Sequence, residues 1–231
     1  MNRAVTHLPS LNVNTERITL PGAAGAIELA IDRPQAVAPR GLALIAHPHP
    51  LFGGTLENKV VQTLARAFAA LGYVAARPNF RGVGASEGVH DEGRGETEDL
   101  LLVAAGLQRQ HGLSELVLAG FSFGGVVQMH VASRLREAGT PARRMVLVAP
   151  GVTRGVALPV ASDTLVIHGE ADETVPLSAV FDWARPQQLP IVVVPGADHF
   201  FHRRLTLIKD LVIAAWLGER AERSPSIALS Q

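Results

Sequence analysis

The chain has 231 residues, with 21 Lys and Arg against 21 Asp and Glu, no cysteine, and 47% apolar residues. Zero formal net charge argues against a nucleic-acid-binding protein, because such a protein needs a basic surface to neutralise phosphates. The absence of cysteine excludes disulfides, a thiolate nucleophile and Cys-based zinc or iron–sulfur sites.

The sequence carries no signal for export or membrane insertion. The first nine residues lack the apolar core of a secretory signal, and no run approaches the ~18 uninterrupted apolar residues of a membrane helix. We therefore expect a cytoplasmic protein with no nucleic-acid or membrane partner. The sequence does not indicate its oligomeric state. We predict one domain over residues 1–231, with its core at about 17–218 and frayed termini.

Short apolar runs alternate with longer amphipathic ones along the chain. The predicted strands cover residues 18–20, 27–31, 42–46, 73–76, 116–119, 145–148, 165–167 and 191–194. From residue 42 onward these runs are nearly continuously apolar, which is typical of strands buried on both faces of a parallel sheet. Helical spacing predicts helices over about 56–71, 97–110 and 203–217, and from Ser122 to about residue 136.

This alternation predicts an α/β fold with a doubly wound, mostly parallel sheet flanked by helices. Ligands of such sheets bind at the carboxyl ends of the strands. The polar residues that directly follow each predicted strand are therefore the candidates for chemistry.

A serine nucleophile is predicted at one of two G-x-S-x-G matches. Ser122 follows the apolar strand 116–119 and precedes an apolar helix, which is the context in which a strained turn lifts a hydroxyl above the sheet. Ser86 lies instead in a polar, glycine-rich loop with no helix directly after it. The context favours Ser122.

A base and an acid follow two further strands. Serine needs a neighbouring base to take its proton and a third group to orient that base. Asp172 follows strand 165–167 and His199 follows strand 191–194, which is the chain order Ser, Asp, His of one known class of triad. Four other acidic residues compete with Asp172 and are less well placed: Asp163, Glu170, Glu173 and Asp198.

With these residues in place, the chain resembles the α/β-hydrolase superfamily, and within it the small bacterial serine hydrolases without a lid. Residues 47–54 read His-Pro-x-x-x-x-Gly-Gly and residues 81–88 read Arg-Gly-x-Gly-x-Ser-x-Gly, as in those proteins. The resemblance extends over about residues 17–218 and implies that Ser122 is the nucleophile, Asp172 the acid and His199 the base. The dienelactone-hydrolase-like branch often uses cysteine, so that chemistry does not apply here.

An oxyanion hole needs two N–H donors. One is predicted to be the backbone N–H of Phe123, directly after the nucleophile. The second should come from the loop after strand 42–46, where Pro48 and Pro50 have no N–H, so His49 and Leu51 are the candidates. The resemblance to His-Gly-x loops of the superfamily favours His49.

The remaining expectations concern the substrate pocket and its surroundings. We expect short apolar loops to shape the pocket, with Phe52, Phe121, Val175 and Phe200 as lining residues. Residues 150–163 are too few for a helical cap, so the site should be open. No metal is expected, because His47 and His49 have no evident third ligand. Asn79, Arg81 and Ser86 should organise a neighbouring loop, with Arg81 as an alternative anchor for an acidic substrate.

The combined prediction is a serine hydrolase that cleaves small carboxylic esters through an acyl-enzyme, without a cofactor. A peptidase, a thioesterase or an acyltransferase with the same three residues is the alternative. A non-catalytic binding module on this fold is a further one.

Overall fold

The structure is a computed structural model that describes residues 15–34 and 38–223, with the backbone alone described over 219–223. Within these residues eight strands form one sheet in the order β1-β2-β4-β3-β5-β6-β7-β8. The strands are β1 (Thr15–Gly22), β2 (Gly25–Asp32), β3 (Gly41–Ala46), β4 (Val74–Pro78), β5 (Glu115–Phe121), β6 (Arg144–Val148), β7 (Leu165–Gly169) and β8 (Ile191–Val194). The predicted frayed ends lie outside the described residues, apart from 219–223, whose backbone is helical.

The sheet is parallel from β4 through β8 and antiparallel at its other edge. β1 pairs with β2, and β2 pairs with β4, in antiparallel register. The strands β3, β5 and β6 are buried almost throughout, as their continuous apolar runs predict, because helices cover both faces of the sheet. The predicted doubly wound, mostly parallel sheet is confirmed.

Five α-helices lie among the described residues: α1 (Lys59–Ala70), α2 (Arg94–His111), α3 (Phe123–Glu137), α4 (Leu177–Ala184) and α5 (Leu205–Arg223). Helices α1 and α5 cover one face of the sheet, where α1 packs on β3, β4 and β5, and α5 packs on α1 and β7. Helices α2, α3 and α4 cover the opposite face. None of the helices in the described ranges is long and apolar enough to cross a membrane.

The connection between β6 and β7 contains no helix. Residues 149–164 run as turns and irregular backbone, so no cap domain is inserted there, as the short spacing predicts. The cytoplasmic location expected from the sequence stays a prediction.

The parallel strands bring six loops to one edge of the sheet. The carboxyl ends of β4, β3, β5, β6, β7 and β8 lie side by side, since these strands are neighbours with the same direction. Ser122 directly follows β5, near the centre of the sheet. Asp172 and His199 follow β7 and β8, so the topology places all three near one another.

Candidate active site

Ser122 is the single residue between β5 and α3. Its backbone has φ 55° and ψ −121°, a strained conformation for a residue with a Cβ. The flanking glycines permit this turn, because a Cβ on Gly120 would lie 2.5 Å from the carbonyl oxygen of Gly124. A Cβ on Gly124 would in turn lie 2.5 Å from the carbonyl oxygen of Ala46 in β3. The sharp turn therefore requires glycine at both positions.

The three residues predicted from chain order meet in one hydrogen-bond chain. Nε2 of His199 lies 3.0 Å from Oγ of Ser122, and Nδ1 of His199 lies 2.7 Å from Oδ2 of Asp172. Asp172 and His199 are buried, with about 5% of each exposed, so water screens the pair little. This geometry can move a proton from the serine hydroxyl to the imidazole.

Asp172 is itself held by the chain around it. Its Oδ1 accepts the backbone N–H groups of Thr174 at 2.9 Å and Val175 at 2.8 Å, which leaves Oδ2 facing His199. The buried ring of His168 lies behind the carboxylate, where its Nε2 is 2.9 Å from the carbonyl oxygen of Val175. Burial lowers the pKa of His168, so a neutral ring that donates from Nε2 satisfies this contact.

Two backbone N–H groups beside Ser122 are open. Phe123 begins α3, so its N–H has no partner within the helix. In the described part of the chain, the N–H of His49 likewise donates to no protein acceptor, whereas the N–H of Leu51 donates to Nδ1 of His49 at 3.3 Å. The geometry therefore favours His49 over Leu51 as the second donor.

Gly151 packs closely against the turn that carries Ser122. Its N–H donates to the carbonyl oxygen of Ser122 at 3.0 Å, so the loop after β6 lies against the turn. A Cβ on Gly151 would lie 3.2 Å from the backbone nitrogen of Phe123, where a substrate oxygen would have to approach.

The loop after β3 is fixed from beneath by His47. This side chain is fully buried, its Nδ1 lies 2.7 Å from the carbonyl oxygen of Pro48, and its Nε2 lies 2.9 Å from the N–H of Phe80. Burial lowers the pKa of His47 to about 4, so the ring is neutral with its hydrogen on Nδ1. Both ring nitrogens are occupied by the chain, which removes His47 as a metal ligand.

No group of three His, Cys, Asp or Glu side chains suited to a metal occurs in the described ranges.

The second G-x-S-x-G match has a structural role. Oγ of Ser86 donates to the carbonyl oxygen of Asn79 at 2.9 Å and accepts the N–H of Glu28 at 3.0 Å. Ser86 is buried in these contacts, so its hydroxyl ties a loop to β2.

Arg81 is paired within the chain, so its contacts favour the predicted organising role over the alternative of a substrate anchor. Its Nε and Nη2 bind the two carboxylate oxygens of Asp99 at 2.8 and 2.9 Å, and Nη2 also donates to the carbonyl oxygen of Gly95. These bonds fasten the 81–88 loop to α2, in line with the predicted organising role.

A cavity of about 300 Å³ opens over Oγ of Ser122. Its lining residues are Pro48, His49, Phe52, Gly53, Gly54, Asn58, Ser122, Phe123, Gly151, Arg154, Thr174, Val175, His199 and Phe200. The structure thus places the predicted pocket residues Phe52, Val175 and Phe200 at the cavity.

The prediction that Phe121 lines the pocket needs correction. Phe121 does not line the cavity: it is the last residue of β5, fully buried, and its ring packs 5.0 Å from the ring of His199. Its role is to support the imidazole from below. Leu51 is 70% exposed and lines an adjacent groove, whose wall also includes Arg81, Arg94, Arg134 and Arg154.

Sequence reasoning missed four residues that line the cavity: Asn58, Gly151, Arg154 and Thr174. Asn58 caps α1 through its Oδ1, which accepts the N–H of Val60 at 2.9 Å. Arg154 and Thr174 lie in the loops after β6 and β7. The rule that ligands bind after parallel strands could have pointed to these two.

Known proteins share this architecture. The family model described as "Serine aminopeptidase, S33" matches residues 38–163. A solved α/β serine hydrolase without a lid, from Xanthomonas campestris, is 34% identical, with 91% of this chain and 97% of that chain covered and a TM-score of 0.82. An α/β serine hydrolase homologue from Coxiella burnetii is 37% identical, with 89% and 99% covered and a TM-score of 0.78.

A curated protein from Rickettsia prowazekii, which is described as uncharacterised, is 33% identical over 175 residues. The match covers 69% of this chain and 71% of that protein. These likenesses extend over most of the chain. The chain therefore belongs to the α/β-hydrolase superfamily of serine hydrolases.

Proposed function

We propose that the protein hydrolyses small carboxylic esters through an acyl-enzyme, with Ser122 as nucleophile, His199 as general base and Asp172 as its orienting acid. One observation carries this proposal. The hydrogen-bond chain from Asp172 through His199 ends on Oγ of Ser122, inside a small cavity and beside two open backbone N–H groups.

The first half-reaction follows from this geometry. As Oγ of Ser122 attacks the ester carbonyl carbon, its proton passes to Nε2 of His199, and the carbonyl oxygen becomes an oxyanion between the N–H groups of Phe123 and His49. When the intermediate collapses, the C–O bond to the alcohol breaks. The proton on Nε2 then goes to the departing alkoxide, and the acyl group stays on Ser122.

The second half-reaction uses the same groups with water as the nucleophile. His199 takes a proton from water, the hydroxide adds to the acyl carbon, and collapse returns the proton to Oγ of Ser122 as the carboxylic acid leaves. Throughout, Oδ2 of Asp172 accepts from Nδ1–H, so Nε2 is the nitrogen free to receive the proton.

The cavity favours an ester over an aminopeptidase substrate. The free ammonium of a peptide needs a carboxylate or several carbonyl oxygens to replace its water, because burying an unpaired charge is costly. Among the described residues that line the cavity there is no Asp or Glu, and Arg154 would repel an ammonium group. The volume of about 300 Å³ suits a small substrate.

The test compares wild type with Ser122→Ala on three substrates: p-nitrophenyl butyrate, an aminoacyl p-nitroanilide and butyryl-CoA. We expect wild type to prefer the aryl ester, and the variant to lose ~10⁴–10⁶ in kcat, as removal of a nucleophile does elsewhere. Preference for the anilide or the thioester would overturn the ester assignment.

A fluorophosphonate probe separates the serines and tests for a binding module. We expect an adduct on Ser122 in wild type and in Ser86→Ala, and none in Ser122→Ala. Absence of any adduct on folded wild type would overturn the nucleophile assignment and favour a non-catalytic module.

A further inference from the structure

Arg154 contributes a permanent charge to the lining of the cavity. The other described residues of that lining are apolar, hydroxyl-bearing, amide-bearing or imidazole-bearing. Burial and the neighbouring charges of His90 and Arg154 lower the pKa of His49, so that ring is neutral near pH 7. The cavity therefore carries a guanidinium charge that no neighbouring side chain on its wall offsets.

The other three arginines of the adjacent groove differ from Arg154 in their ion pairs. Arg81 pairs with Asp99, Arg94 with Asp91, and Arg134 with Glu98. Within residues 15–34 and 38–223, Arg154 forms no ion pair with a carboxylate. Each groove arginine is neutralised by the chain itself, whereas the one arginine shared by the groove and the cavity is left for a ligand.

Local contacts aim this guanidinium over the mouth of the site. The backbone N–H of Arg154 donates to the carbonyl oxygen of Gly151 at 3.0 Å, in the turn that also touches Ser122. The Cζ of Arg154 lies 4.8 Å from the ring centroid of Phe52, which is within cation–π range. The Phe52 ring lies 4.8 Å from the His49 ring, and the His49 ring lies 4.7 Å from the Phe123 ring.

This row of rings links the guanidinium to the open N–H groups beside Ser122. The contact with the exposed Phe52 ring does not use the N–H donors of the guanidinium, which remain available at the rim. The planar guanidinium of arginine matches a carboxylate better than any other side chain does, because it can donate two parallel N–H···O bonds.

We propose that Arg154 is a specificity residue that selects esters carrying a second, negatively charged group, most simply a carboxylate on the acyl or the alcohol part. This inference rests on the proposed ester hydrolysis at Ser122. The substrate class is then the half-ester or the acyloxy acid, and the charged group lies against Arg154 while the ester carbonyl lies against Phe123 and His49.

The experiment uses two matched ester pairs at low ionic strength. p-Nitrophenyl butyrate and p-nitrophenyl hemisuccinate differ by a carboxylate on the acyl part, and phenyl acetate and 4-acetoxybenzoate differ by one on the alcohol part. For each pair we compare kcat/KM of the charged member with that of the neutral member in wild type, Arg154→Ala and Arg154→Lys. The ratio isolates charge recognition, because a general structural fault lowers kcat/KM for both esters of a pair together.

We expect the ratio to fall about tenfold in Arg154→Ala for at least one pair, which is the scale of one charge-assisted hydrogen bond. Arg154→Lys should recover part of it, and 0.5 M NaCl should weaken the preference of wild type. A fall of less than threefold in both pairs would overturn the inference.

Arg134→Ala is the matched control. It removes the same charge from the adjacent groove, where Arg134 pairs with Glu98, and it should leave the ratio within threefold of wild type. An equal fall in this variant would mean that the net field, and not contact with Arg154, sets the preference, which overturns the inference.

The two proposals fail in different ways. Suppose that wild type cleaves the neutral esters and that Ser122 reacts with the fluorophosphonate. If the kcat/KM ratio is then the same in the Arg154 variants as in wild type, the role of Arg154 is wrong and ester hydrolysis stands. If wild type cleaves none of the four esters, the proposed function fails and the inference falls with it.

Discussion

Nε2 of His199 lies 3.0 Å from Oγ of Ser122, although 77 residues separate them in the chain. The imidazole reaches this position because β8 and β5 run parallel in one sheet and both end at the same edge. Beneath the ring, the fully buried Phe121 packs at a centroid distance of 5.0 Å. The sheet and its core therefore help to fix the position of the base.

Asp172→Asn should lower kcat for p-nitrophenyl butyrate by ~10³–10⁴ while the protein stays folded. The N–H groups of Thr174 and Val175 must keep an acceptor, so the amide oxygen will face them and the NH₂ group will face His199. That NH₂ group forces Nδ1 to accept, which puts the ring hydrogen on Nε2, where it cannot take the serine proton. Steady-state kinetics and circular dichroism check this.

Asp198→Asn is the control for that prediction. Asp198 adjoins His199 in sequence, yet its Oδ2 contacts the exposed His202 at 2.6 Å. Its loss should change kcat less than threefold. A larger effect from Asp198 than from Asp172 would show that the acid is misassigned.

The second oxyanion donor can be tested by deleting one N–H at a time. His49 has φ −55°, which proline adopts without strain, so His49→Pro removes the N–H and keeps the backbone. We expect kcat to fall ~10²–10³ below that of His49→Ala, which loses the ring alone. Leu51→Pro against Leu51→Ala is the matched pair. If the larger loss belongs to Leu51, the assignment to His49 is wrong.

Much of the site could be predicted because its chemistry follows strands. Continuous apolar runs mark β5, β7 and β8, and a polar residue of the required type follows each of them. Parallel strands end at one edge, so residues that follow β5, β7 and β8 are expected at that edge, where Ser122, Asp172 and His199 lie. The roles of these residues remain predictions until the kinetic tests are made.

Other features could not be read from the sequence. The side chain of Phe121 points into the core, but an apolar residue beside a site gives no sign of its direction. Helix α4 has eight residues and buries only Val180 and Ala184, which is too little for a periodic signal. Arg154 lies in an irregular loop, where a single arginine resembles any solvated surface residue until its neighbours are known.

Gly124→Ala should lower the free energy of unfolding by about 2 kcal/mol or more. Alanine favours a helix over glycine by about 0.5–1 kcal/mol, but here its Cβ would lie 2.5 Å from the carbonyl oxygen of Ala46, and a backbone atom cannot rotate away. Gly218→Ala is the matched control, because Gly218 in α5 has no atom within 4 Å of such a Cβ. Urea unfolding should show stabilisation at Gly218; stabilisation at both positions would contradict the close-packing argument.

His47 should make the fold less stable in mild acid. Burial lowers its pKa from 6.5 to about 4, so below pH 6.5 the unfolded chain binds a proton that the folded chain excludes. Stability from this residue is complete above pH 6.5 and falls as the pH drops toward 4. Between pH 8 and pH 5 the free energy of unfolding falls by about 2 kcal/mol from this residue.

His47→Gln keeps a donor for the carbonyl of Pro48 and an acceptor for the N–H of Phe80 but cannot titrate. Urea unfolding at both pH values should therefore show a smaller difference for the variant than for wild type. Equal differences would mean that His47 is not excluded from protonation in the folded protein.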